Sequence, residues 1–483
     1  IEKAGLKPLE PALRQIAGLR SARDLAIFLA GIHSGWGVNA LFQFGADQDF
    51  GDSSRVIAFA TAGGLGLPDR DYYFQQDTKS KEIRHAYAAH LQSMLELLGD
   101  TPAEAQREAR AIGELETELA QATLTEVERR DPHRLYHKLS RAQFIALAPD
   151  FPWNPYLEAI GLPNLRELNV TEPAFFRRAG ALVKTHRLAE WKPYLRVRLL
   201  ETAAPYLAAR FERAHFDFYG KYLQGTPEMR PRWKRCVGHV DDQLGEALGE
   251  AFVAKVFSPS QKEAAIGMTR AIEAAMEQEI NNLPWMGPET KRQALVKLHG
   301  VVNKIGYPDH WRDYSTIRIS RDDFAGNAAR AAAFEHKREL SKIGKPVDRG
   351  EWFMTPPTVD AYYNPQMNDI NFPAGVLQPP LFDVKMDDAP NYGNTGTTIG
   401  HELTHGFDDE GRHFDAKGNL RGWWTPKDSA AFEQRAKCVS SQYAQYTVVD
   451  DVKINSKLTL GEDIADLGGT LLAYIAWKHL TEG

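Results

Sequence analysis

The chain has 483 residues, of which 43% are hydrophobic and 25% are charged, and its formal net charge at pH 7 is −6. This composition is typical of a globular protein with more than one hydrophobic core, and it lacks the basic excess that nucleic acid or an anionic membrane would attract. No uncharged apolar run approaches the roughly 20 residues of a membrane-spanning helix. The two cysteines, Cys236 and Cys438, exclude a disulfide framework and a cysteine zinc site, and their number favours two buried free thiols.

The first two thirds of the chain predict helices. From Pro8 to about Arg330, long stretches rich in Ala, Glu, Lys, Arg and Leu repeat with a period near 3.6, at residues 80–98, 102–124 and 260–280. Prolines and glycines at residues 64–68, 149–155 and 225–231 separate the predicted helices. We therefore expect a mostly α fold, with a large helical domain over residues 1–325 and a small α+β domain over residues 326–483.

The pattern changes to short β-type runs after about Trp352. Residues 359–363 and 369–372 are two such runs, and the connection at residues 364–368 predicts a hairpin. This hairpin either covers the helix that follows it or presents an edge strand to which an extended peptide adds by backbone hydrogen bonds. The motif that follows the hairpin favours the second alternative.

Residues 401–405 read His-Glu-Leu-Thr-His, a spacing typical of a zinc site on a helix. At 3.6 residues per turn, His401 and His405 share one helix face, so both imidazoles reach one metal ion. Glu402 is offset by one residue, which places it near metal-activated water rather than on the metal. The alternative is an exposed helix with solvated side chains. Glycines within a helix cost about 1 kcal/mol relative to Ala, so those in and around this helix favour close packing at a buried metal. They are Gly396, Gly400 and Gly406.

A third ligand is expected near the C-terminal end of the chain. Thr459 and Glu462 fit a capping box, which is the structural interpretation of Glu462. Asp466, however, follows Glu462 by four residues on the same helix face, and like charges at this spacing destabilise a helix. A cation between or beside them removes this conflict. We therefore favour Glu462 as a zinc ligand and Asp466 as the acceptor for the free N–H of a ligating histidine.

With these motifs, the chain resembles the neprilysin and endothelin-converting-enzyme family of zinc endopeptidases in its bacterial form. The strongest matching segments are residues 400–409, 461–466, 359–363 and 372–380. Weaker matches occur at residues 67–73, 129–132 and 304–308. The resemblance implies a zincin (thermolysin-like) pair of zinc helices, with the helical domain capping a cavity that admits oligopeptides.

The resemblance also implies roles for individual residues. One Zn²⁺ per chain would be bound by His401, His405 and Glu462, with Glu402 as general base and Asp466 as the residue that orients a histidine. The expected substrate-binding residues lie on the edge strand and in the pocket after the scissile bond. They are Asp360, Ala361, Val376, Leu381, Thr397 and Thr398. Position 360 is usually Asn in this family. The family further implies an extracytoplasmic location, periplasmic if the source is bacterial.

Members of the family also carry a later segment with an oxyanion-stabilising histidine and a substrate-binding arginine. We expect the native protein to continue past Gly483 into such a segment, and the resemblance implies that Cys438 pairs with a cysteine there. If the chain is complete at Gly483, a non-catalytic zinc-bound peptide-binding protein is the alternative. An aminopeptidase is a further alternative, but the Gly-any-Met-Glu-Asn segment typical of such enzymes does not occur.

Overall fold

The computed structural model describes residues 1–482 and contains two hydrophobic cores. The first core is formed by residues between 9 and 218 together with residues 325 and 340. The second core is formed by residues between 257 and 476. The domain boundary that the sequence predicts after residue 325 stays a prediction, and the cores interleave around it: residues 257–305 pack in the second core, whereas residues 325 and 340 pack in the first.

Helices make up most of the first core. They are α1 (Glu10–Gly18), α2 (Ala22–Trp36), α3 (Asp71–Phe74), α4 (Thr78–Leu97), α5 (Pro102–Ala120), α6 (Glu126–Arg129), α7 (Pro132–Leu135), α8 (Arg141–Leu147), α9 (Trp153–Ala159), α10 (Pro173–Thr185), α11 (Leu188–Ala203) and α12 (Ala209–Phe216). Short 3₁₀ helices occur at Glu2–Ala4, Lys7–Leu9 and Ala204–Tyr206, and a π-helix occurs at Asp217–Leu223. The helices predicted at 80–98 and 102–124 are confirmed as α4 and α5. The second begins at Pro102 because the Thr101 hydroxyl accepts from the backbone N–H of Glu104.

The helical pattern does not predict the four-stranded sheet that accompanies these helices. Its strands are β1 (Phe42–Asp49), β2 (Asp52–Ala62), β3 (Lys138–Ser140) and β4 (Glu167–Val170), in the order β1-β2-β4-β3. Half of the eight residues of β1 are Gly, Ala or Asp, which have low strand propensity. Antiparallel pairing with β2 and burial against the first core therefore decide the conformation of β1, and neither is visible in a local sequence window.

The second core combines helices with a small sheet. Its helices and those that connect to it are α13 (Arg232–Val256), α14 (Pro259–Asn282), α15 (Pro288–His299), α16 (Phe324–Leu340), α17 (Asp388–Asn391), α18 (Thr397–His405), α19 (Pro426–Tyr443) and α20 (Leu460–Glu482). A π-helix at Tyr392–Gly396 leads directly into α18, and a 3₁₀ helix follows at Gly411–His413. The helix predicted at 260–280 is confirmed as α14.

The sheet of the second core contains the predicted hairpin. Strands β5 (Val302–Gly306), β6 (Tyr362–Asn364) and β7 (Asp369–Pro373) have the order β5-β7-β6, and a separate pair is formed by β8 (Thr447–Val449) and β9 (Val452–Lys453). β6 pairs with β7 in antiparallel register, which confirms the hairpin, although the first strand is shorter than its sequence pattern. β6 is the outer strand of this sheet, so one of its edges has no strand beside it among residues 1–482.

Two predictions from composition meet different outcomes. Among the helices of residues 1–482, none combines the length and the apolar character needed to cross a membrane. The expectation of buried thiols is wrong, because Cys236 and Cys438 are both exposed free cysteines. Each lies on the solvent side of an amphipathic helix, α13 and α19 respectively, a position that a count of cysteines does not reveal.

Candidate metal centre

Close contact between α18 and α20 builds the site. A Cβ atom at Gly400 would lie 2.8 Å from the Cα of Gly469, and one at Gly469 would lie 2.6 Å from the backbone nitrogen of His401. A Cβ at Gly468 would lie 2.5 Å from the Thr404 hydroxyl oxygen. The two backbones therefore touch at positions where only glycine fits, which explains the glycine directly before the histidine motif. This contact brings the start of α20 to the histidine face of α18.

Three side chains predicted as zinc ligands meet at this contact. The Nε2 atoms of His401 and His405 lie 2.9 Å apart, and Oε2 of Glu462 lies 3.2 Å from the first and 3.6 Å from the second. Tetrahedral ligand atoms at about 2.0–2.1 Å from a zinc ion would lie about 3.3 Å from one another. Two imidazoles and one carboxylate at these separations are therefore a donor set that fits a catalytic zinc ion.

Each histidine also contacts a carboxylate through its other ring nitrogen. Nδ1 of His401 lies 2.8 Å from Oδ1 of Asp466, and Nδ1 of His405 lies 2.7 Å from Oδ2 of Asp408. The other oxygen of Asp408 accepts from the backbone N–H groups of Glu410 and Gly411. Such carboxylates orient a ligating imidazole and leave Nε2 facing the metal. The structure thus brings Asp466 to the expected ring, and it adds Asp408, which the sequence analysis did not assign.

The capping interpretation of Glu462 does not describe its carboxylate, which lies against the two imidazoles. The hydroxyl of Thr459 instead donates to the carboxylate of Asp463 at 3.0 Å. Close contacts with His401 and His405 lower the pKa of Glu462, so it is a carboxylate at neutral pH. Glu462 is more than half exposed and yet its charge is held in place by these two contacts.

The two histidines favour their protonated forms in this arrangement. Burial lowers the pKa of His405, but the hydrogen bond to Asp408 and the contact with Glu462 outweigh it and raise the pKa to about 10. The pKa of His401 is also raised, with burial opposed by its contact with Glu462. Metal binding at Nε2 competes with protons on these rings, which makes metal affinity dependent on pH.

Glu402 lies beside the ligand atoms in a buried position. Glu402 is only 6% exposed. Burial raises the pKa of its carboxyl group to about 7, although the nearby histidines act in the opposite direction. No hydrogen bond within residues 1–482 engages this carboxyl group. It is therefore free to exchange a proton near neutral pH, as a general base requires.

A cleft of about 460 Å³ runs over these groups. Its walls are the segment at residues 360–363, Pro365, the ligand face of α18 and α20, and the turn that contains Asp408, Glu410 and Gly411. Asp360 and Ala361 therefore lie in the same cleft as the three ligand candidates. Burial raises the pKa of Glu410 to about 7, so the cleft holds a second carboxyl group that the sequence analysis did not single out.

The other four predicted substrate residues do not line this cleft. Val376 is buried in the second core, and Leu381 packs against that core. The hydroxyls of Thr397 and Thr398 donate to backbone carbonyls one turn earlier, those of Gly393 and Asn394. Their assignment to a substrate pocket stays a prediction.

Comparison with known proteins agrees with this geometry. Two sequence profiles, both described as peptidase family M13, match residues 1–308 and 360–483. The chain is 33% identical to endothelin-converting enzyme 1 from Mus musculus, over 99% of this chain and 64% of that protein. It thus spans less than two thirds of the length of that relative.

Two solved structures of one bacterial protein are similar in fold to this chain. The chain matches the Mycobacterium tuberculosis zinc metalloprotease Zmp1 in complex with inhibitor at 38% identity and a TM-score of 0.96, over 100% of this chain and 74% of that one. The open state of Zmp1 matches at 39% identity and a TM-score of 0.78, over 100% and 76% of the two chains. With a helical fold, a cleft that contains both histidines of the motif and both profiles in agreement, this chain belongs to peptidase family M13, the family of endothelin-converting enzyme and neprilysin.

Proposed function

We propose that this chain forms part of a zinc-dependent endopeptidase that hydrolyses internal bonds of oligopeptides. The observation that carries the proposal is the meeting of His401, His405 and Glu462 in one cleft with the buried carboxyl of Glu402. A site that only binds zinc has no need of Glu402, because that group is not a ligand. Its position and raised pKa instead suit proton transfer.

His401, His405 and Glu462 would hold one zinc ion, with Asp466 and Asp408 fixing the two imidazole rings. When bound, zinc supplies a Lewis acid that polarises a carbonyl and makes water more acidic. Glu402 would then accept a proton from the attacking water and return it to the leaving amine, which completes amide hydrolysis without a covalent enzyme intermediate. A pKa of about 7 allows both proton transfers near neutral pH.

The edge strand offers a way to bind a peptide beside the metal centre. β6 has an open edge and residues 360–363 line the cleft, so an extended peptide could pair with it through backbone hydrogen bonds. Oδ1 of Asp360 accepts from the N–H of Ala361, and a carboxylate can accept from a substrate N–H but not donate to its carbonyl. The proposed pocket of Val376, Leu381, Thr397 and Thr398 requires the peptide to extend beyond this cleft.

The experiment combines zinc content with cleavage of a peptide blocked at both ends. We expect one zinc per chain and cleavage at internal bonds, which an aminopeptidase would not produce. In Glu402→Gln, zinc should remain while hydrolysis falls by about 10² or more. In the double variant His401→Ala, His405→Ala, zinc should be lost as well.

Glu433→Gln is the matched control, because this exposed glutamate pairs with Arg412 outside the cleft. It should keep both zinc and hydrolysis. Bound zinc and bound peptide without cleavage in the wild-type protein would instead identify a non-catalytic peptide-binding protein. An extracytoplasmic location is part of the same proposal, and fractionation of the source cells tests it.

A further inference from the structure

We propose that Arg130 is a positioning residue that fixes the distance between the two chain segments that supply the metal ligands. Arg130 lies between α6 and α7, in a link whose neighbours α5 and β3 pack in the first core. Its guanidinium reaches across to the metal centre, 279 residues further along the chain. The inference rests on the proposed function, but its test measures zinc release and does not require that the chain hydrolyses peptides.

The contacts of the guanidinium group fall on both ligand-bearing segments. Nη2 donates to the two carboxylate oxygens of Asp409 at 3.2 and 3.0 Å, and Nη1 donates to the carbonyl oxygen of Leu458 at 2.7 Å. Nε lies 2.8 Å from Oε1 of Glu410 without hydrogen-bond alignment, so that contact is an ion pair only. Asp409 follows Asp408, the partner of His405. Leu458 precedes the helix that carries Glu462.

The guanidinium group of Arg130 is closely packed. A Cβ at Gly461 would lie 2.9 Å from Oδ2 of Asp408, 3.0 Å from Nη2 of Arg130 and 3.1 Å from Oδ1 of Asp409. The start of α20, the turn after α18 and the guanidinium are thus in mutual contact at a residue next to Glu462. A planar guanidinium with donors in a fixed fork can hold two acceptors at a defined separation, which a flexible lysine ammonium cannot.

Arg130 also forms the ion pairs that join the two halves of the molecule. Within residues 1–482, its pairs with Asp409 and Glu410 are the only ion pairs that join the first 230 residues to residues 360–482. Other contacts across this boundary involve His133, whose Nε2 lies 3.4 Å from Nδ1 of His413, and the tip of the β1–β2 hairpin. The hairpin contacts reach Gln366, Lys417, Asn419 and Leu420, and none of these residues, nor His413, is a predicted metal ligand.

The contacts of Arg130 with Asp409 and Leu458 require the two halves of the molecule to lie against each other. A separation of the two halves would withdraw the guanidinium from Asp409 and Leu458. The spacing of the ligands would then depend on α18 and α20 alone, and zinc would be held less firmly.

The test measures the rate at which zinc passes to a chromogenic chelator in the purified protein. We expect Arg130→Gln to release zinc about ten times faster than the wild type, as expected when a group that orients ligands is lost. Arg130→Lys should fall between the two, because it keeps the charge and loses the fork. Arg134→Gln is the control: Arg134 lies in α7 and pairs with Glu128 at 2.8 Å within its own half of the molecule. It should release zinc at the wild-type rate.

A double-variant comparison separates this role from a general loss of stability. If Arg130 acts through Asp409, then Asp409→Asn combined with Arg130→Gln should release zinc no faster than the faster single variant. Where hydrolysis is measured, kcat should fall while KM changes less than about twofold, because no group that contacts substrate is removed. Arg130→Lys and Asp409→Asn test the same contact if Arg130→Gln does not fold.

The outcomes distinguish this inference from the proposed function. Wild-type zinc release in every Arg130 variant overturns the inference, even if the protein hydrolyses peptides. Additive effects of the Arg130 and Asp409 substitutions overturn it too, because the two residues would then act separately. Faster release in the Arg130 variants without any hydrolysis supports the inference, and only the proposed function then fails.

Discussion

The two histidines of the metal centre are supported in opposite ways. His401 is held by Asp466, which lies 65 residues away on α20 and whose side chain is 69% exposed. His405 is held by Asp408, which lies three residues away in the next turn and whose side chain is 7% exposed. Asp408 is itself fixed by two backbone N–H groups. One half of the site therefore depends on helix packing and the other on local hydrogen bonds.

This difference predicts how each half fails. On the His401 side, the partner is exposed, so its hydrogen bond is replaceable by water and the position of the helix matters more than the single contact. On the His405 side, the carboxylate is enclosed, so any change leaves buried polar groups without partners. The variants below alter one half at a time, beginning with the largest expected effect.

Gly469→Ala should break the His401 half most severely. The added Cβ would lie 2.5 Å from the Thr397 carbonyl oxygen and 2.6 Å from the His401 nitrogen, both backbone atoms that cannot turn away. α18 and α20 must then separate, at a cost of about 1–3 kcal/mol or more, and Glu462 and Asp466 move with α20. We expect a lower thermal unfolding midpoint and a loss of most bound zinc.

Gly393→Ala is the control for that experiment. Gly393 lies in the π-helix before α18, and a Cβ there would meet no atom within 4 Å. Its zinc content and unfolding midpoint should stay close to those of the wild type. If Gly469→Ala keeps its zinc as well, the close helix contact does not set the ligand geometry.

The same contrast explains how much of the site the sequence could predict. The spacing of His401 and His405 is local, and the repulsive pair at Glu462 and Asp466 marks a second helix, so the pattern suffices for both. Asp408 is close in sequence, but its orientation depends on backbone N–H groups in a turn that has no periodicity. Arg130 is far away in sequence, and only the packing of the two halves brings it to Asp409.

The fold shows a similar division. The periodic helices α4, α5 and α14 are predictable because an amphipathic stripe is a local signal. The strands β1 and β2 are not, because their conformation depends on each other and on the first core. The assumption that free cysteines are buried failed for the same reason, since the exposure of Cys236 and Cys438 depends on which face of each helix packs.

Asp408→Asn should weaken zinc binding by about 10–100-fold, toward the upper end of that range. An amide has one acceptor oxygen where the carboxylate has two, so it cannot satisfy both His405 and the backbone N–H groups of Glu410 and Gly411. The imidazole would also lose the negative charge that favours its contact. Competition with a chelator of known zinc affinity measures the change.

Asp466→Asn should weaken zinc binding in the same assay, but by about 10-fold or less. Oδ1 of an asparagine can still accept from Nδ1 of His401, and water can reach the exposed side chain. The two substitutions are chemically identical, so each serves as the control for the other. An equal or larger loss in Asp466→Asn would contradict the proposed difference between the two halves.

Lys297→Met should have the smallest effect on zinc affinity. It tests the His405 half of the site through the free energy of unfolding. Lys297 is 1% exposed, and its Nζ donates to the carbonyl oxygens of Gly411 and Phe414 at 2.7 and 2.8 Å. The N–H of Gly411 in turn donates to Asp408. Removing the amine takes one donor from each carbonyl, at about 0.5–1.5 kcal/mol per hydrogen bond, and loosens the turn that carries Asp408. The N–H of Phe414 and the indole N–H of Trp423 still donate to Gly411 and Phe414 respectively.

The pH dependence of stability identifies the contribution of Lys297. Burial lowers the pKa of its amine to about 7 from its ordinary value near 10.5, so protonation favours the unfolded chain. The wild type should therefore lose stability as the pH falls from about 10.5 to about 7, with no further loss from this group below pH 7. Lys297→Met should lack this component, so urea unfolding midpoints at pH 7 and 9.5 should differ less than in the wild type. Lys291→Met, on the same helix and partly exposed, should keep the wild-type difference. A Lys297→Met variant that also keeps this difference would show that the buried amine is not the titrating group.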